Sequence, residues 1–401
     1  MRVGLALRRP VSVDRVAPER ASRRSEVVGG EHFDAVVVGS GFGGAVTAYR
    51  LAEAGLSVCV LERGRPYPPG SFPRSPIELG SGFWSPAEHA YGLFDLRSFR
   101  DRLVTLTASG LGGGSLIYAA VLLRKDERWF VQDDGAPGGE RWPLTRADLD
   151  PHYARVERML SARPYPLASG PPYRDTPKTL QLRLAADELG LEWQLPNLGI
   201  TFAVPGHEPA VGAPLEPDDN LHGAERRTCR LCGECNLGCN AGSKNSLDLT
   251  YLSAARRHGA EIRTLAEARR VAPRPGGGYV VRYADHARAG GGVPPVREVT
   301  ADTLVLAAGT LGTTELLLRS RPALPRLSPM LGRRFSANGD RLAFAVRARD
   351  GARRTREFRP SFGPVITGAL RVPDGRDGAG DGARGFYVED AGYPAFLAGW
   401  A

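Results

Sequence analysis

The sequence has little lysine, few cysteines and no long apolar run. Lysine occurs only at positions 125, 178 and 244, and the arginines that give the net charge of +9 are scattered. Because no basic stripe is interleaved with aromatic residues, nucleic-acid binding is not expected. No stretch of about 20 apolar residues occurs, so no membrane span is expected. Four of the five cysteines form one tight cluster, unlike the framework of a secreted disulfide-rich protein.

The first 31 residues are rich in arginine, and no hydrophobic segment follows the pair Arg23-Arg24. A secretion signal needs such a segment. We therefore interpret residues 1–31 as a disordered leader and expect a cytoplasmic protein.

The stretch Phe33–Gly64 has the pattern of a dinucleotide-binding unit. Ala35–Val38 is a short apolar run typical of a strand buried on both faces. A G-x-G-x-x-G motif follows, and it consists of Gly39, Gly41 and Gly44. Its glycines permit a sharp turn, the approach of a pyrophosphate to the backbone, and close packing of helix on strand.

The same stretch continues with a helix, a glycine stop and a second strand. Ala45, Ala48 and Ala52 lie on one helical face, Gly55 ends the helix, and Ser57–Leu61 forms the strand. Glu62 follows, where an acid can accept hydrogen bonds from both ribose hydroxyls. An acid at this position disfavours NADP and leaves NAD and FAD open.

A second glycine-rich segment lies at Ala108–Val121. Its glycines are Gly110, Gly112, Gly113 and Gly114, and Ser115 follows them. Glycine at this density lets backbone N–H groups approach an anion or a flat group. A flexible hinge is the alternative interpretation.

Further elements surround the cysteine cluster. Arg146–Leu160, capped by Thr145, and Leu180–Leu189, ended by Gly190, are predicted helices. A helix capped by Asn245 or Ser246 and stopped by Gly259 follows the cluster, and strands are predicted at 278–284 and 296–306. The turn Gly309–Gly312 then feeds a helix at Thr313–Leu318.

The four clustered cysteines have the spacing C-x-x-C-x-x-C-x-x-x-C. They are Cys229, Cys232, Cys235 and Cys239. This spacing is that of a cubane iron–sulfur ligand set, although Asn240 replaces the proline that commonly follows it. Zinc and reduced structural thiols are the alternatives.

The chain contains one dinucleotide fingerprint, whereas a flavoenzyme that also uses a pyridine nucleotide normally has two. One fingerprint and an intervening domain favour FAD without a second nucleotide. The electrons would then come from an organic substrate.

Four segments together resemble the glucose–methanol–choline (GMC) oxidoreductases, and within them the cholesterol-oxidase-like branch. The segments are SGLGGGSLIYAAV, CRLCGECNLGCNAGSKNSLDLTYL, LAAGTLGTTELLLRSR and MLGRRFSANGD. The resemblance runs from about residue 33 to the end. It implies FAD as the cofactor and no cluster at the cysteines. It also implies an α/β fold: an FAD/NAD(P)-binding, Rossmann-like three-layer domain with an inserted α+β substrate domain, C-terminally incomplete.

The resemblance also implies the domain limits and the cofactor site. The FAD-binding domain is expected at 32–66 and 225–320, helped by the glycine loop 108–121, and the substrate domain at 67–224 and 321–401. The expected FAD-binding residues are Gly39, Gly41, Phe42, Gly43, Gly44, Glu62, Arg63, Gly110, Gly112, Gly113, Gly114, Ser115, Tyr118, Val271, Ala308, Gly309 and Asn338. Tyr118 is a departure, because relatives place asparagine there.

The implied chemistry is hydride transfer from an alcohol, such as a sterol or another bulky apolar alcohol, to the flavin, with oxygen or another acceptor completing the cycle. Glu389, in Phe386-Tyr387-Val388-Glu389, matches a segment that carries a glutamate base. The family's histidine and asparagine belong to a His-Pro-Leu-Gly-Gly-like stretch absent from these residues. We therefore expect this chain alone to bind flavin weakly or not at all, and to be inactive. An iron–sulfur electron carrier, an NAD-dependent dehydrogenase and an inactive fragment are the alternatives.

Overall fold

The computed structural model describes residues 31–99, 103–127, 130, 142–333, 335–345, 348–349, 353–355, 358–373 and 385–396. The predicted leader lies outside these ranges, except for Glu31. Among the helices of the described ranges, none is both long enough and apolar enough to cross a membrane.

The described chain alternates short strands and helices. The strands are β1 (Glu31–Val38), β2 (Val58–Leu61), β3 (Trp84–Ser85), β4 (Ala90–Tyr91), β5 (Phe94–Phe99), β6 (Leu103–Ala108), β7 (Arg163–Pro164), β8 (Glu192–Gln194), β9 (Asn197–Leu198), β10 (Glu261–Arg263), β11 (Ala266–Pro273), β12 (Tyr279–Asp285), β13 (Val296–Leu306), β14 (Ala369–Val372) and β15 (Phe386–Glu389). The helices are α1 (Phe42–Glu53), α2 (Pro76–Gly80), α3 (Arg146–Met159), α4 (Pro177–Leu189), α5 (Tyr251–Arg257) and α6 (Gly309–Ser320).

The chain divides into two compact units. The first consists of Met1–Pro66, Ser75–Gly114 and Ala255–Gly332, and the second of Tyr67–Arg74, Ser115–Ala254 and Arg333–Ala401.

This division departs from the expected domain limits at residues 75–114, 225–254 and 321–332. The first segment joins the nucleotide-binding unit because Gly110 bridges to Arg65. The second joins the other unit because Lys244 bridges to Ile200 and Arg227 to Pro214.

The first unit is built on a six-stranded sheet with the order β10-β2-β1-β13-β12-β11. The strands β10, β2, β1 and β13 are parallel, and β12 and β11 follow in antiparallel pairing. Parallel neighbours need crossover connections, and α1 provides the one between β1 and β2. The expected α/β class of this unit is confirmed.

Both faces of β1 are covered, as its apolar run predicts. Ala35 and Val37 pack with Ala48 and Ala52 of α1, whereas Val36 and Val38 pack in a second cluster with Leu316 of α6. All of these side chains are buried. Successive side chains of a strand point to opposite faces, so one strand supplies the core on both sides of the sheet.

The second unit contains α3, α4 and a three-stranded antiparallel sheet with the order β15-β14-β8. Thr145 and Asp148 form a capping box at the start of α3, and Gly190 ends α4 in the left-handed conformation. Both features agree with the sequence predictions. Helices beside a small antiparallel sheet give this unit its α+β character.

Three predicted helix starts differ from the structure. The helix α4 begins at Pro177, three residues before the predicted Leu180. The helix α5 begins at Tyr251, because Asn245 binds the Leu160 carbonyl and the Ser246 hydroxyl donates to Asp248 instead of capping a helix. The helix α6 begins already at Gly309, where the glycine turn was expected.

Candidate cofactor site and active-site residues

The carboxyl ends of three parallel strands meet at one edge of the first unit's sheet. Val38 of β1 pairs with Leu61 of β2 on one side and with Leu306 of β13 on the other. Ligands of open α/β sheets bind at this edge, where neighbouring connections leave in opposite directions. The predicted fingerprint, Glu62 and the second glycine turn all follow these three strands.

Two fingerprint glycines are required by close backbone contacts. A Cβ on Gly44 would lie 1.9 Å from the Gly39 carbonyl oxygen, and one on Gly39 would lie 2.4 Å from the Ala307 oxygen. Gly39 also has φ +98°, which side chains rarely adopt. These contacts seat the start of α1 against the strand ends, as the motif predicts.

Gly41 differs, because an added Cβ would meet no heavy atom within 4 Å. It is the N-cap of α1, and no side chain caps the helix there. The first N–H groups of a helix have no partner within it and carry a partial positive charge. Phe42, Gly43 and Gly44 form this first turn, and Phe42 is 45% exposed. Open space beside an uncapped helix start suits a phosphate group.

The second glycine loop packs directly on this turn. A Cβ on Gly113 would lie 2.7 Å from the Gly41 Cα, and the Gly112 N–H donates to the Ser40 hydroxyl at 3.0 Å. Gly110 is held by its bridge to Arg65, and a Cβ on Gly114 would meet open space. The loop is thus an ordered wall of the fingerprint site, which argues against a flexible hinge.

Glu62 is 6% exposed, and its carboxylate already accepts hydrogen bonds from other residues of the first unit. It accepts hydrogen bonds from the Ser40 N–H at 3.1 Å, from the Ser40 hydroxyl at 2.6 Å and from the Gly64 N–H at 2.8 Å. A carboxylate offers about four acceptor positions, so room is left for one ribose hydroxyl rather than two.

Ser40 is a site residue that the sequence reasoning missed. Its hydroxyl donates to Glu62 and accepts from Gly112, so it joins the end of β2 to the glycine loop. Its position between two fingerprint glycines was the available signal.

Arg63 has partners within the first unit. Its Nη2 lies 2.8 Å from the buried Asp95 carboxylate, and its guanidinium stacks over Trp84. Asp95 also binds Arg97, which reaches Glu315 of α6. Arg63 therefore belongs to an ion-pair network within the first unit.

Val271 also has a partner within the first unit. Its N–H donates to the Ser320 hydroxyl at 3.0 Å, and its side chain is part of the core. The resemblance implies that the backbone near Val271 meets the adenine of FAD, and the Val271 N–H already has this partner within the unit. Ala308 and Gly309 do lie at the carboxyl end of β13, where Gly309 opens α6 and Ala308 approaches Gly39.

Ser115 and Tyr118 belong to the second unit. The Ser115 hydroxyl accepts from the Leu247 N–H at 3.0 Å, and burial raises the pKa of Tyr118. The buried Lys244 ammonium lies 5.3 Å from the centre of the Tyr118 ring. It donates to the carbonyls of Leu116, Tyr118 and Cys235 at 2.7, 3.2 and 2.7 Å.

The contact of Lys244 with the Cys235 carbonyl also helps to hold the cysteine loop. Within the described ranges, no group of three or more His, Cys, Asp or Glu side chains is arranged to bind a metal ion. Burial raises the pKa of the Cys229 and Cys235 thiols, which favours the protonated thiol in the chain as it stands. The structure therefore does not support the iron–sulfur alternative for Cys229, Cys232, Cys235 and Cys239.

Asn338 and Glu389 are also in the second unit. Asn338 is exposed, and its amide donates to Asp340 at 2.6 Å. Glu389 ends β15, and partial burial, followed by the charges of Asp390 and Asp340, raises its pKa to about 7. A carboxyl with this pKa can exchange protons near neutral pH, as a general base must.

Asp390, the residue after Glu389, anchors this strand end. Its carboxylate lies 2.5 Å from the Lys178 ammonium, and the two side chains are 3% and 4% exposed. It also accepts from the N–H groups of Thr367 and Gly368 at 2.7 and 2.8 Å and from the Thr367 hydroxyl at 2.6 Å. This buried network fixes the end of β15 to the segment before β14.

The first unit fits the adenosine diphosphate half of FAD. Open space beside Gly41, the uncapped start of α1 and the remaining acceptor position of Glu62 match a pyrophosphate and a ribose. The fit concerns only this half of the cofactor.

Comparison with known proteins agrees with this fit. Residues 33–337 match the family model of the GMC oxidoreductases. Cholesterol oxidase of Mycobacterium tuberculosis is 33% identical over 78% of this chain and 53% of its own length, and cholesterol oxidase of Acinetobacter baumannii 30% identical over 77% and 54%. The 6'''-hydroxyparomomycin C oxidase of Streptomyces lividus is 29% identical over 72% and 50%. The chain thus spans about half the length of these relatives. It belongs to the GMC oxidoreductases, a family of FAD-binding flavoproteins.

Proposed function

We propose that this protein is an FAD-dependent oxidoreductase that oxidises the CH–OH group of an alcohol. The observation that carries the proposal is the uncapped start of α1, which opens beside Gly41 and is walled by the glycine loop. When bound, FAD accepts the hydride of the alcohol carbon, and oxygen or another acceptor takes the electrons.

The chain's own residues hold the cofactor and handle a proton. The first N–H groups of α1 bind the pyrophosphate, Gly113 keeps the glycine loop close to Gly41, and Glu62 accepts one ribose hydroxyl. Glu389 is the proposed base for the alcohol hydroxyl. Because its pKa is raised to about 7, both the deprotonated and the protonated carboxyl are populated near neutral pH.

Two classes of alcohol are candidates for the substrate. Two relatives are named cholesterol oxidases, which supports the bulky apolar alcohol implied by the motifs. The S. lividus relative is named for a different substrate, 6'''-hydroxyparomomycin C.

Thermal unfolding with and without saturating FAD tests the cofactor assignment. A ligand that binds only the folded chain stabilises it by about 2.7 kcal/mol at about 100 times its Kd. Gly41→Ala is expected to unfold like the unaltered chain without FAD, since its Cβ meets only open space, but to lose the stabilisation by FAD.

Gly80→Ala, at an exposed glycine that also has open surroundings, is the matched control and should keep the stabilisation. NADH in place of FAD tests the dehydrogenase alternative. Equal stabilisation of the Gly41 variant and the unaltered chain by FAD, or no stabilisation of either, would refute the proposed site.

A further inference from the structure

A cavity of ≈ 860 Å³ lies within the second unit, beside the sheet β15-β14-β8. We propose that this cavity binds a neutral, polyhydroxylated alcohol, with Arg371 as a specificity-determining residue. The proposal rests on the proposed function only in one respect, namely that the bound alcohol is the substrate. It favours a polyhydroxylated alcohol over a sterol.

The sheet register places the cavity and Glu389 on one face. Tyr387 of β15 stands opposite Arg371 of β14, which stands opposite Glu192 of β8. Two residues earlier along β14, Ala369 stands opposite Glu389 of β15 and opposite Gln194 of β8. Directly opposite residues share a face, and so do residues two apart along a strand. Four of these six side chains line the cavity, and Glu389 lies on the same face, about 7 Å along its strand from Tyr387.

The other face of this sheet is occupied. Trp193, which alternates with the cavity residues of β8, lies under the Arg183 guanidinium of α4 at 5.4 Å. A Cβ on Gly368 would lie 3.6 Å from Leu182 of α4 and 3.1 Å from the Trp193 indole nitrogen. The side that carries Glu389 is therefore the side left for a ligand.

Nine of the fourteen residues that line the cavity have charged or amide side chains, and the other five are Leu122, Leu123, Leu195, Pro196 and Tyr387. Three arginines line it, Arg124, Arg146 and Arg371, and four carboxylates, Asp126, Glu127, Glu157 and Glu192. A sterol offers one hydroxyl and a large apolar surface, so it would strip water from these charges without replacing it, at a cost of several kcal/mol per ion. A polyol supplies hydrogen bonds to both signs of charge. Since positive charges are not in excess, a neutral polyol is favoured over an acid.

Two of the arginines, Arg124 and Arg146, form ion pairs with carboxylates of the second unit. Arg124 makes a two-pronged pair with Glu157 at 2.8 and 2.6 Å and also binds Asp150 at 2.8 Å. Arg146 binds the same Asp150 at 2.7 Å and the Lys125 carbonyl at 2.8 Å. These two side chains shape the wall and are held in place by the carboxylates of Asp150 and Glu157.

Arg371 has donor capacity left. Its Nε donates to Asp126 at 2.6 Å, and its side chain is only 9% exposed. Its Nη2 is buried and finds no hydrogen-bond partner among the residues that the structure describes. A buried donor without an acceptor is costly, and a ligand oxygen would satisfy it. Because Arg371 lines the cavity, a hydroxyl of a bound polyol is the acceptor that the geometry offers.

Ligand-observed NMR titration of the 401-residue chain tests the proposal, with sorbitol as the polyol and cyclohexanol as the apolar alcohol. Sorbitol is expected to bind and cyclohexanol to bind more weakly. Arg371→Met should weaken sorbitol roughly tenfold or more, and Arg371→Lys should weaken it less, because the charge stays while the planar fork is lost.

A second variant keeps the test decisive if Arg371→Met fails to fold. Glu192 is exposed at the cavity wall, so Glu192→Leu should fold, weaken sorbitol and strengthen cyclohexanol. Arg183→Met, on the opposite face, is the matched control and should change neither affinity. Preference for cyclohexanol, equal sorbitol affinity in all variants, or no sorbitol binding would overturn the proposal.

This readout needs neither flavin nor turnover, so it is independent of the FAD test. Sorbitol binding without FAD binding would refute the proposed function and keep the cavity assignment, whereas FAD binding without sorbitol binding would do the reverse.

Discussion

Replacing Lys178 by methionine is expected to destabilise the second unit by about 3–5 kcal/mol, the usual cost of breaking a buried ion pair. Methionine has a similar length but no charge. It would leave the Asp390 carboxylate, which is only 3% exposed, without its counter-charge.

The structure places the expected cost near the lower end of that range. Asp390 would keep three other donors, the N–H groups of Thr367 and Gly368 and the Thr367 hydroxyl, all within 2.8 Å. Hydrogen bonds to a charged group contribute about 1.5–3 kcal/mol each, so the orphaned carboxylate stays partly stabilised. A cost of about 3 kcal/mol is therefore the central expectation.

Urea unfolding followed by tryptophan fluorescence measures this cost, because Trp193 of β8 reports on the second unit. Arg174→Met is the matched control. Arg174 and Asp175 are both 62% exposed and 3.6 Å apart, and such a surface pair contributes about 0–1 kcal/mol.

The double variant Lys178→Met/Asp390→Asn separates the ion pair from mere packing. It removes both charges, so it should be more stable than either single variant, with a coupling energy of about 2–3 kcal/mol. Strictly additive costs, or a Lys178→Met cost no larger than that of Arg174→Met, would refute the role assigned to the pair.

Three further outcomes are expected. Glu389 has a folded pKa of about 7, above its ordinary 4.5, so the folded chain retains a proton that the unfolded chain loses between these values. The free energy of unfolding of the unaltered chain, relative to that of Glu389→Gln, should thus fall as pH rises from about 4.5 to about 7. A difference in unfolding midpoint between the two proteins that does not change with pH would contradict this. Gly44→Ala should unfold at lower temperature even without FAD, unlike Gly41→Ala, because its Cβ collides with the Gly39 carbonyl; an unchanged midpoint would count against that contact. Reconstitution with iron and sulfide should leave the chain without the broad brown absorbance of a cluster, and bound iron in stoichiometric amount would reopen the role of the cysteines.

The nucleotide-binding features were predictable from sequence because they are local. The strand, the glycines and the helix of the fingerprint lie within Phe33–Gly64, and each glycine role depends on backbone within that stretch or on the neighbouring strand end. Apolar runs without alternation correctly indicated that β1 is buried on both faces. The cap at Thr145 and the stop at Gly190 have equally short-range causes.

The roles of Arg63 and Val271 were not predictable, because their partners come from other segments. Arg63 forms an ion pair with Asp95, and the Val271 N–H donates to the hydroxyl of Ser320 of α6, 49 positions later. No spacing rule in a single sequence identifies such partners. The same holds for Glu62, whose acceptor positions are largely filled by Ser40 and Gly64.

The second unit depends still more on distant contacts. Lys178 and Asp390 are separated by 212 positions, yet their pairing fixes the strand that carries Glu389. The register of β14 against β8 and β15 brings Arg371 beside Glu192 and Tyr387, which lie far apart in sequence. Motif resemblance therefore identifies the chemistry of the cofactor end, which is encoded in contiguous residues. On our proposal, strand register and buried charge set the choice of alcohol, and a likeness to cholesterol oxidases does not by itself determine it.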